Sequence, residues 1–276
     1  MIRVTCSLSE RQIEAEFRKI FFPPKGRLKC VWCKSFKIKK LKSEDRYHCP
    51  RCRKKFSLLS GTWLGHIHIS LTTLIILLWS WMKEYSVEQA IDLTGLSHVS
   101  VRRYFRLFRL NVVKSVEFKP QDSVQVDEAY FGSFKKQSNS YHGVKKFRLA
   151  PKVCVAGIGC PSLGILALRV IEGKPGIPIK EFIREKVPTD VTVYSDGSPI
   201  YTALRSTHQH ISQTHDLGFG TAAYIEGCWS WSKRKLFKQY HHFTKKYASE
   251  YVRELEWRFN TRKQEKNPLL YLRNTQ

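Results

Sequence analysis

The second half of the chain takes its fold from one strand-like stretch, Val124-Gln125-Val126-Asp127-Glu128-Ala129-Tyr130-Phe131-Gly132. Alternate side chains of an extended segment point to opposite faces, so Val124 and Val126 share one face and Asp127 lies on the other. A carboxylate in the middle of such a strand costs desolvation free energy unless a cation or hydrogen bonds offset it. Asp127 is therefore a candidate functional residue. Glu128 faces the valine side and is interpreted as structural or supporting.

Strand and helix patterns continue beyond this stretch. Strands are predicted over residues 152–159, 164–171 and 191–197, and helices over 179–186, 225–239 and 247–262. Three strands, a helix, a fourth strand and then helices predict a layered domain of the α+β or α/β type. Ahead of this domain, helices are predicted over residues 9–20 and within 70–110.

Two further acids stand where predicted elements end or begin. Asp196 closes the fourth strand and precedes Gly197, at the usual position of a functional group on an open sheet. Glu226 opens a helix and shares a face with Lys233, because seven residues make almost two helical turns. Each acid also has an ordinary interpretation, Asp196 as a turn residue and Glu226 as a first-turn acid favoured by the helix dipole.

Convergence of these acids would be unfavourable without metal, because like charges repel. Two Mg²⁺ or Mn²⁺ ions would convert the repulsion into coordination, one activating an attacking hydroxyl and the other stabilising the leaving oxygen at phosphorus. A lysine beside them would contact a phosphate. The predicted catalytic set is Asp127, Asp196, Glu226 and Lys233, with the three acids as the ligands of the catalytic ions.

Charge and composition limit the partners. The chain of 276 residues carries 48 Lys and Arg against 23 Asp and Glu, a formal net charge of +25, which indicates a polyanionic partner such as nucleic acid. The most apolar run, residues 71–82, is too short to span a bilayer and is interpreted as a buried helix. No signal-peptide pattern opens the sequence, so a reducing compartment is expected. That compartment is the cytoplasm and nucleoid of a prokaryote, or the nucleus of a eukaryote.

Four of the eight cysteines have the spacing of a zinc site. Fifteen residues separate Cys30-x2-Cys33 from Cys49-x2-Cys52, which predicts one structural Zn²⁺ held by four thiolates in a zinc ribbon. The many lysines and arginines around the pairs suit contact with phosphates, or form a solvated face. Chance pairs of buried or redox cysteines are the alternative. The other cysteines are interpreted as ordinary core residues: Cys6, Cys154, Cys160 and Cys228.

A helix-turn-helix pattern follows the cysteine pairs. Ser86 caps a first amphipathic helix, Gly95 suits the turn, and Ser97 caps a second helix rich in arginine. A helical hairpin that only packs, for example in dimerisation, is the alternative. The residues expected to face a DNA groove are Ser97, His98, Ser100, Arg102 and Arg103.

Taken together, these motifs resemble the insertion-sequence transposases of the Merlin superfamily, of the ISXO type. The matching segments are the four cysteines with residues 51–57 and 61–62, the strand 126–132, and residues 194–197, 225–229, 233–234, 240–242 and 256–262. The resemblance implies a zinc ribbon and a helix-turn-helix ahead of a ribonuclease-H-like DDE domain. It assigns the first, second and third acid to Asp127, Asp196 and Glu226. The sequence departs from the family at Ala223, where many relatives have Asn, and at Gly132-Ser133, where the family has a glycine pair.

The resemblance also implies an organisation and an activity. Residues 1–62 would form an N-terminal helix and the zinc ribbon, residues 63–118 the helix-turn-helix region, and residues 119–276 the catalytic domain. The expected function is binding of double-stranded element ends, metal-dependent cleavage, and transfer to target DNA by a homo-oligomer. A basic loop over residues 135–146 would track flanking DNA or form a solvated hairpin. The alternatives are an inactive or domesticated DNA-binding derivative and a simple metal-dependent nuclease.

Overall fold

The structure of the protein is a computed structural model. It describes residues 9–22, 27–41, 44, 46–132, 152–213, 222–240 and 245–273. The chain divides into two compact units: Met1–Val112 with Glu265–Gln276, and Val113–Gln264. The expected boundaries at residues 62 and 118 stay predictions. Within the described residues, no helix is both long and apolar enough to cross a membrane.

The first unit is mostly helical. Its helices are α1 (Glu10–Phe21), α2 (Leu71–Met82), α3 (Val87–Thr94), α4 (His98–Asn111) and α8 (Pro268–Arg273). Ser9 caps α1 in a capping box with Gln12, which satisfies two backbone donors at the helix start. Trp81 of α2 is fully buried and its ring lies 6.0 Å from that of Phe108 in α4. The predicted buried helix over 71–82 is confirmed.

A small three-stranded antiparallel sheet lies between α1 and α2 in the sequence. Its strands are β1 (Lys39–Lys40), β2 (Tyr47–His48) and β3 (Lys55–Phe56). Tyr47 is buried against Phe56, with ring centroids 5.7 Å apart, and its hydroxyl donates to Glu14 of α1 at 2.7 Å. Two-residue strands bury little apolar area, so this segment requires another source of stability.

The second unit is built on a mixed five-stranded sheet. Its strands are β4 (Ser123–Phe131), β5 (Val153–Cys160), β6 (Ile165–Ile171), β7 (Thr192–Asp196) and β8 (His210–Gln213). The order is β6-β5-β4-β7-β8; β4, β5 and β6 are antiparallel neighbours, whereas β7 pairs in parallel with β4 and β8 with β7. The four predicted strands are present, and the predicted ribonuclease-H-like arrangement is confirmed. The fifth strand, His-Ile-Ser-Gln, is too short and polar to show a strand pattern in the sequence.

Helices cover both faces of this sheet. One face packs on α5 (Gly176–Lys186) and on a 3-10 helix over Pro199–Ser206, and the other packs on α6 (Ala223–Tyr240) and α7 (Ala248–Asn260). Val124 and Val126 lie in the first core, while Ala129 lies in the second, as the alternation along β4 predicts. The predicted stripe of α6 on the sheet is buried: Ile225, Trp229, Ser232 and Leu236.

Side chains of α7 close the outer edge of the sheet at β6. Asn260 accepts from the backbone N–H of Leu166 at 2.8 Å and donates to its carbonyl at 2.7 Å. Glu256 accepts from the backbone N–H of Leu168 at 2.6 Å. These bonds satisfy edge groups that would otherwise offer a template for another strand. The late segment 256–262, matched in the sequence only by resemblance, therefore has a structural function.

Candidate functional site

The first two predicted acids lie on adjacent parallel strands. β4 and β7 pair with Gln125 opposite Tyr194, and two residues further along each strand stand Asp127 and Asp196. Both strands place these acids on the face covered by α6, because side chains of paired parallel strands alternate together. The charge of Asp196 contributes to raising the pKa of Asp127, which places the two carboxylates within electrostatic reach of one another. Asp196 also accepts from the backbone N–H of Ser198 at 3.0 Å, so its ordinary turn function is present too.

Helix α6 is clamped to β4 by two side chains of this same face. The Oε1 of Gln125 accepts from the backbone N–H groups of Tyr224 at 2.9 Å and Ile225 at 3.1 Å, so a strand residue caps the helix. The indole Nε1 of Trp229 donates to Oδ2 of Asp127 at 2.9 Å. Ala223, which stands where the resemblance leads one to expect Asn, offers no side-chain acceptor, and Gln125 supplies one instead.

A glycine makes room for the indole. Gly157 of β5 pairs directly with Asp127, and a Cβ added there would lie 2.6 Å from Cζ2 of Trp229. The sequence analysis did not identify Gln125, Gly157 or Trp229 as parts of the site. The glycine inside a strand was the available signal, since it often marks a close approach of another group.

The environment of Asp127 disfavours its charged form. Burial, together with the charges of Glu128 and Asp196, raises the pKa of Asp127 from an ordinary 3.8 to about 6, against the lowering effect of its hydrogen bonds. Glu128 lies on the opposite face, as predicted, where it accepts from the hydroxyl of fully buried Tyr201 at 2.5 Å. Burial and the charge of Glu128 raise the pKa of Tyr201. A bound cation would therefore stabilise the charged form of the Asp127 carboxyl group.

Glu226 and Lys233 occupy exposed positions on α6. Glu226 lies one turn before Trp229, the residue that contacts Asp127, and therefore on nearly the same side of the helix. Among the described residues, only the four cysteines of the ribbon form a group of three or more metal ligands whose ligand atoms lie within 4.8 Å of one another. The three acids are therefore further apart than those cysteines. The structure brings Asp127 and Asp196 together and places Glu226 on the helix that covers them.

The described histidines near this sheet make structural contacts. His208 is buried, with Nε2 3.1 Å from the carbonyl of Val187. His210 lies 2.8 Å from the hydroxyl of Ser195, and burial and the charge of Arg205 lower the pKa of His210. The basic loop over 135–146 lies outside the described residues, as do His215, His241 and His242.

The four predicted zinc ligands converge. Their ligand atoms all lie within 4.8 Å of one another, with Cys30 Sγ 3.6 Å from Cys52 Sγ and Cys33 Sγ 3.5 Å from Cys49 Sγ. A tetrahedral Zn²⁺ with bonds of about 2.3 Å requires sulfur separations of roughly 3.8 Å. The donor set therefore fits one structural zinc ion, and its binding would supply the stability that the small sheet lacks.

Both cysteine turns have the same backbone geometry. The N–H groups of Lys34 and Arg53 donate to the carbonyls of Cys30 and Cys49 at 2.9 and 2.8 Å. Lys34 and Arg53 both have positive φ, near 60°, as a tight turn around a metal requires. Burial opposes ionisation of Cys30, but hydrogen bonds from the backbone and from the neighbouring thiols of Cys52 and Cys33 outweigh it and lower the pKa of Cys30 to about 7. A thiol that ionises near neutral pH suits metal binding.

The helix-turn-helix has the predicted form. Ser86 caps α3, Gly95 ends it with φ of 68°, and Ser97 caps α4 by accepting from the N–H of Ser100 at 3.3 Å. Four of the five residues expected to face DNA are exposed and Ser100 is half-buried: Ser97, His98, Ser100, Arg102 and Arg103. The same turn of α4 carries Val99, 78% exposed, which the sequence analysis did not select. The contact of these residues with DNA stays a prediction.

The fold and its central carboxylates place the second unit in the ribonuclease-H-like class. A family model described as the ISXO2-like transposase domain matches residues 119–260, more than half of the chain. The chain therefore belongs to the ISXO2-like transposase family, and the predicted resemblance is confirmed. No curated protein matches the chain.

Among the solved structures that resemble the chain, two show a distant likeness. One is a chain of the simian T-cell lymphotropic virus intasome in complex with PP2A regulatory subunit B56 gamma, 12% identical, covering 66% of this chain and 67% of that one, with a TM-score of 0.33. The other is a chain of a pre-cleavage Mos1 transpososome, 13% identical, covering 72% of this chain and 76% of that one, with a TM-score of 0.27. At these scores, neither likeness bears on the functions of individual residues.

Proposed function

We propose that this transposase-family protein is an active DNA transposase whose second unit cleaves element ends and joins them to target DNA. One observation carries the proposal: Asp127 and Asp196 stand side by side on parallel strands, beneath the helix that bears Glu226. Acids from separate elements on one face are costly unless a cation is recruited. The raised pKa of Asp127 indicates that cost.

The donor set fits hard divalent cations, which prefer carboxylate oxygens. Two Mg²⁺ or Mn²⁺ ions, when bound by Asp127, Asp196 and Glu226, would supply an activated attacking oxygen and a stabilised leaving oxygen for displacement at phosphorus. Side chains of the protein itself orient the carboxylate of Asp127. Trp229 donates to one carboxylate oxygen of Asp127 and so helps to fix the orientation of this carboxylate. Lys233 lies two turns beyond Glu226 on α6 and would contact a phosphate.

The first unit would recognise the element ends. The four cysteines would hold one Zn²⁺, which keeps the ribbon folded and presents its surrounding basic residues to the DNA backbone. The second helix of the helix-turn-helix, α4, would enter a major groove of DNA by its exposed N-terminal turn. Both ends of an element must be joined in one reaction, which requires a homo-oligomer.

The test uses labelled element ends, Mg²⁺ and a target plasmid with the full-length protein. Asp127→Asn, Asp196→Asn and Glu226→Gln should each abolish cleavage and strand transfer while end binding persists. Asp190→Asn, a change at an exposed turn residue, is the matched control and should keep both activities. Cleavage retained by the Asp127 and Asp196 variants would exclude the assigned functions.

The same assay separates the alternatives. An inactive or domesticated derivative, a possibility raised by the departures at Ala223 and Gly132-Ser133, would bind the ends without any Mg²⁺-dependent cutting. A simple nuclease would cut and never join. Joined products that depend on all three acids would exclude both alternatives.

A further inference from the structure

The second unit carries a basic groove that the proposed reaction does not use. The groove has a volume of about 1060 Å³ and is formed by the start of β5, the end of β6, the C-terminal turn of α5 and the first turns of α7. None of the three acids assigned to catalysis, Asp127, Asp196 and Glu226, lines this groove. It is therefore a surface of the second unit in its own right.

Positive side chains dominate the described lining. Six cations line the groove, against two acids, Glu172 and Glu256. Glu256 accepts from the backbone N–H of Leu168 in β6; burial raises the pKa of its carboxyl group, and the charges of Lys186, Arg253 and Arg169 oppose that rise. The lining cations come from five separate segments: Lys152 just before β5, Arg169 in β6, Lys186 in α5, Lys245 and Lys246 in a 3-10 helix (Lys245–Tyr247), and Arg253 in α7. Cations gathered on one surface raise the potential there and attract a polyanion.

Several of these cations are held in position. The guanidinium of Arg169 lies 4.4 Å from the ring centroid of Phe182 and pairs with Glu185 at 2.6 Å. Arg253 donates to the carbonyl of Val113 at 2.8 Å. Positioned guanidinium groups lose less side-chain entropy when they bind an anion than free ones do. Lys152, Lys245 and Lys246 are exposed and complete the positive surface.

The charge of the lining favours a polyanionic polymer over a small apolar ligand. Pockets for small molecules are lined mostly by apolar side chains, whereas six cations and two acids line this groove. The eight residues from Lys246 to Arg253 span roughly 10 Å at about 1.5 Å per residue step. One DNA strand carries a phosphate about every 3.4 Å of its axis, so this span covers several phosphates.

We propose that the basic groove holds the sugar–phosphate backbone of a duplex DNA segment on the second unit, independently of base sequence. The proposal rests on the proposed function only in taking DNA as the polyanion. The basic groove would be a second DNA-binding surface, in addition to the one expected at the acids. Binding at the groove would depend on phosphate charge alone.

Lysine footprinting on the full-length protein tests the location. Acetylation by an amine-reactive ester is read by mass spectrometry with and without a duplex of unrelated sequence. Lys152, Lys245 and Lys246 should be protected, whereas Lys180, on α5 outside the groove, should not. Unchanged acetylation of the groove lysines would overturn the proposal. Equal protection by a nucleoside triphosphate at matched phosphate concentration would also overturn it, in favour of a nucleotide site.

Salt dependence tests the contacts. Each phosphate contact contributes about −0.9 to the slope of log K against log salt concentration. The double variant Lys245→Ala, Lys246→Ala should therefore lower the magnitude of this slope by about 1.8 in anisotropy titrations. The matched control Lys180→Ala, Arg184→Ala removes the same charge from α5 outside the groove and should leave the slope unchanged. Equal slopes for the two double variants would overturn the proposal.

A further footprinting experiment distinguishes failure of the groove proposal from failure of the proposed function. Footprinting is repeated with Asp127→Asn, whose acid does not line the groove. Protection in this variant, whatever its cleavage activity, supports the groove alone. Loss of cleavage in the acid variants with no protection of the groove lysines supports the catalytic assignment and excludes the groove.

Discussion

Replacement of Asp127 by asparagine should stabilise the second unit in the absence of Mg²⁺. Burial and the neighbouring acids raise the pKa of Asp127 from 3.8 to about 6. One pKa unit corresponds to about 1.4 kcal/mol, so the folded state disfavours the charged carboxylate by up to about 3 kcal/mol. An asparagine side chain at this position stays neutral, and its oxygen can still accept from the indole of Trp229. The variant should therefore gain up to about 3 kcal/mol of unfolding free energy at pH 7.5.

The sign of the pH dependence follows from proton binding. Between pH 4 and pH 6, the folded protein retains a proton on Asp127 that the unfolded chain has lost, so this carboxyl group lowers the stability as the pH rises. Below pH 4 both states are protonated and the two proteins should be equally stable. Above pH 6 the difference should be constant. The advantage of the variant should therefore develop between pH 4 and pH 6.

The assay is urea unfolding at pH 4, 5, 6 and 7.5 in buffer without Mg²⁺, followed by hydrogen exchange of peptides from β4 and β5. These peptides report the second unit alone. Asp190→Asn, at an exposed turn, is the control and should change stability little at any pH. Added Mg²⁺ should stabilise the natural protein and have little effect on the Asp127 variant, because only the former retains the ligand. A variant that is less stable than the natural protein at pH 7.5 would refute this account of the site.

Three other changes test the packing around the site and the ribbon. Gly157→Ala should destabilise the second unit by about 1–3 kcal/mol in urea unfolding through overpacking, because the new Cβ would lie 2.6 Å from the ring of Trp229. In the matched change Gly227→Ala the new Cβ meets nothing within 4 Å, so the free energy of unfolding should stay the same or rise by up to about 1 kcal/mol. Asn260→Ala should cost about 2 kcal/mol or more and speed hydrogen exchange in β6, since it leaves two backbone groups without a partner; Lys263→Ala, at an exposed position, should not, and equal exchange in both would contradict the edge-sealing function. Removal of zinc by a chelator should abolish the exchange protection of β2 and β3 and leave that of β4 and β5, whereas unchanged protection of β2 would argue against a structural metal.

Local patterns in the sequence predicted most of the elements and the zinc ligands. The spacing of two cysteine pairs fixes which sulfurs can meet, because each tight turn presents two ligands to one ion. Alternation along β4 placed Asp127 and Glu128 on opposite faces, as the structure has them. These predictions succeed because they depend on residues close together in the chain, where backbone geometry alone sets the side-chain directions.

Other features depend on the order of the strands and the seating of the helices, which no local pattern specifies. The cap that Gln125 provides to α6 joins residues 99 and 100 positions apart. The closing of the β6 edge by Asn260 joins residues 94 positions apart. The basic groove likewise collects cations that are scattered along the sequence. The sequence alone therefore determined most of the elements, the zinc ligands and the candidate acids, but not the short strand β8. Tertiary structure decided which distant side chains meet, because contacts between remote residues form only when the sheet order brings their backbones together.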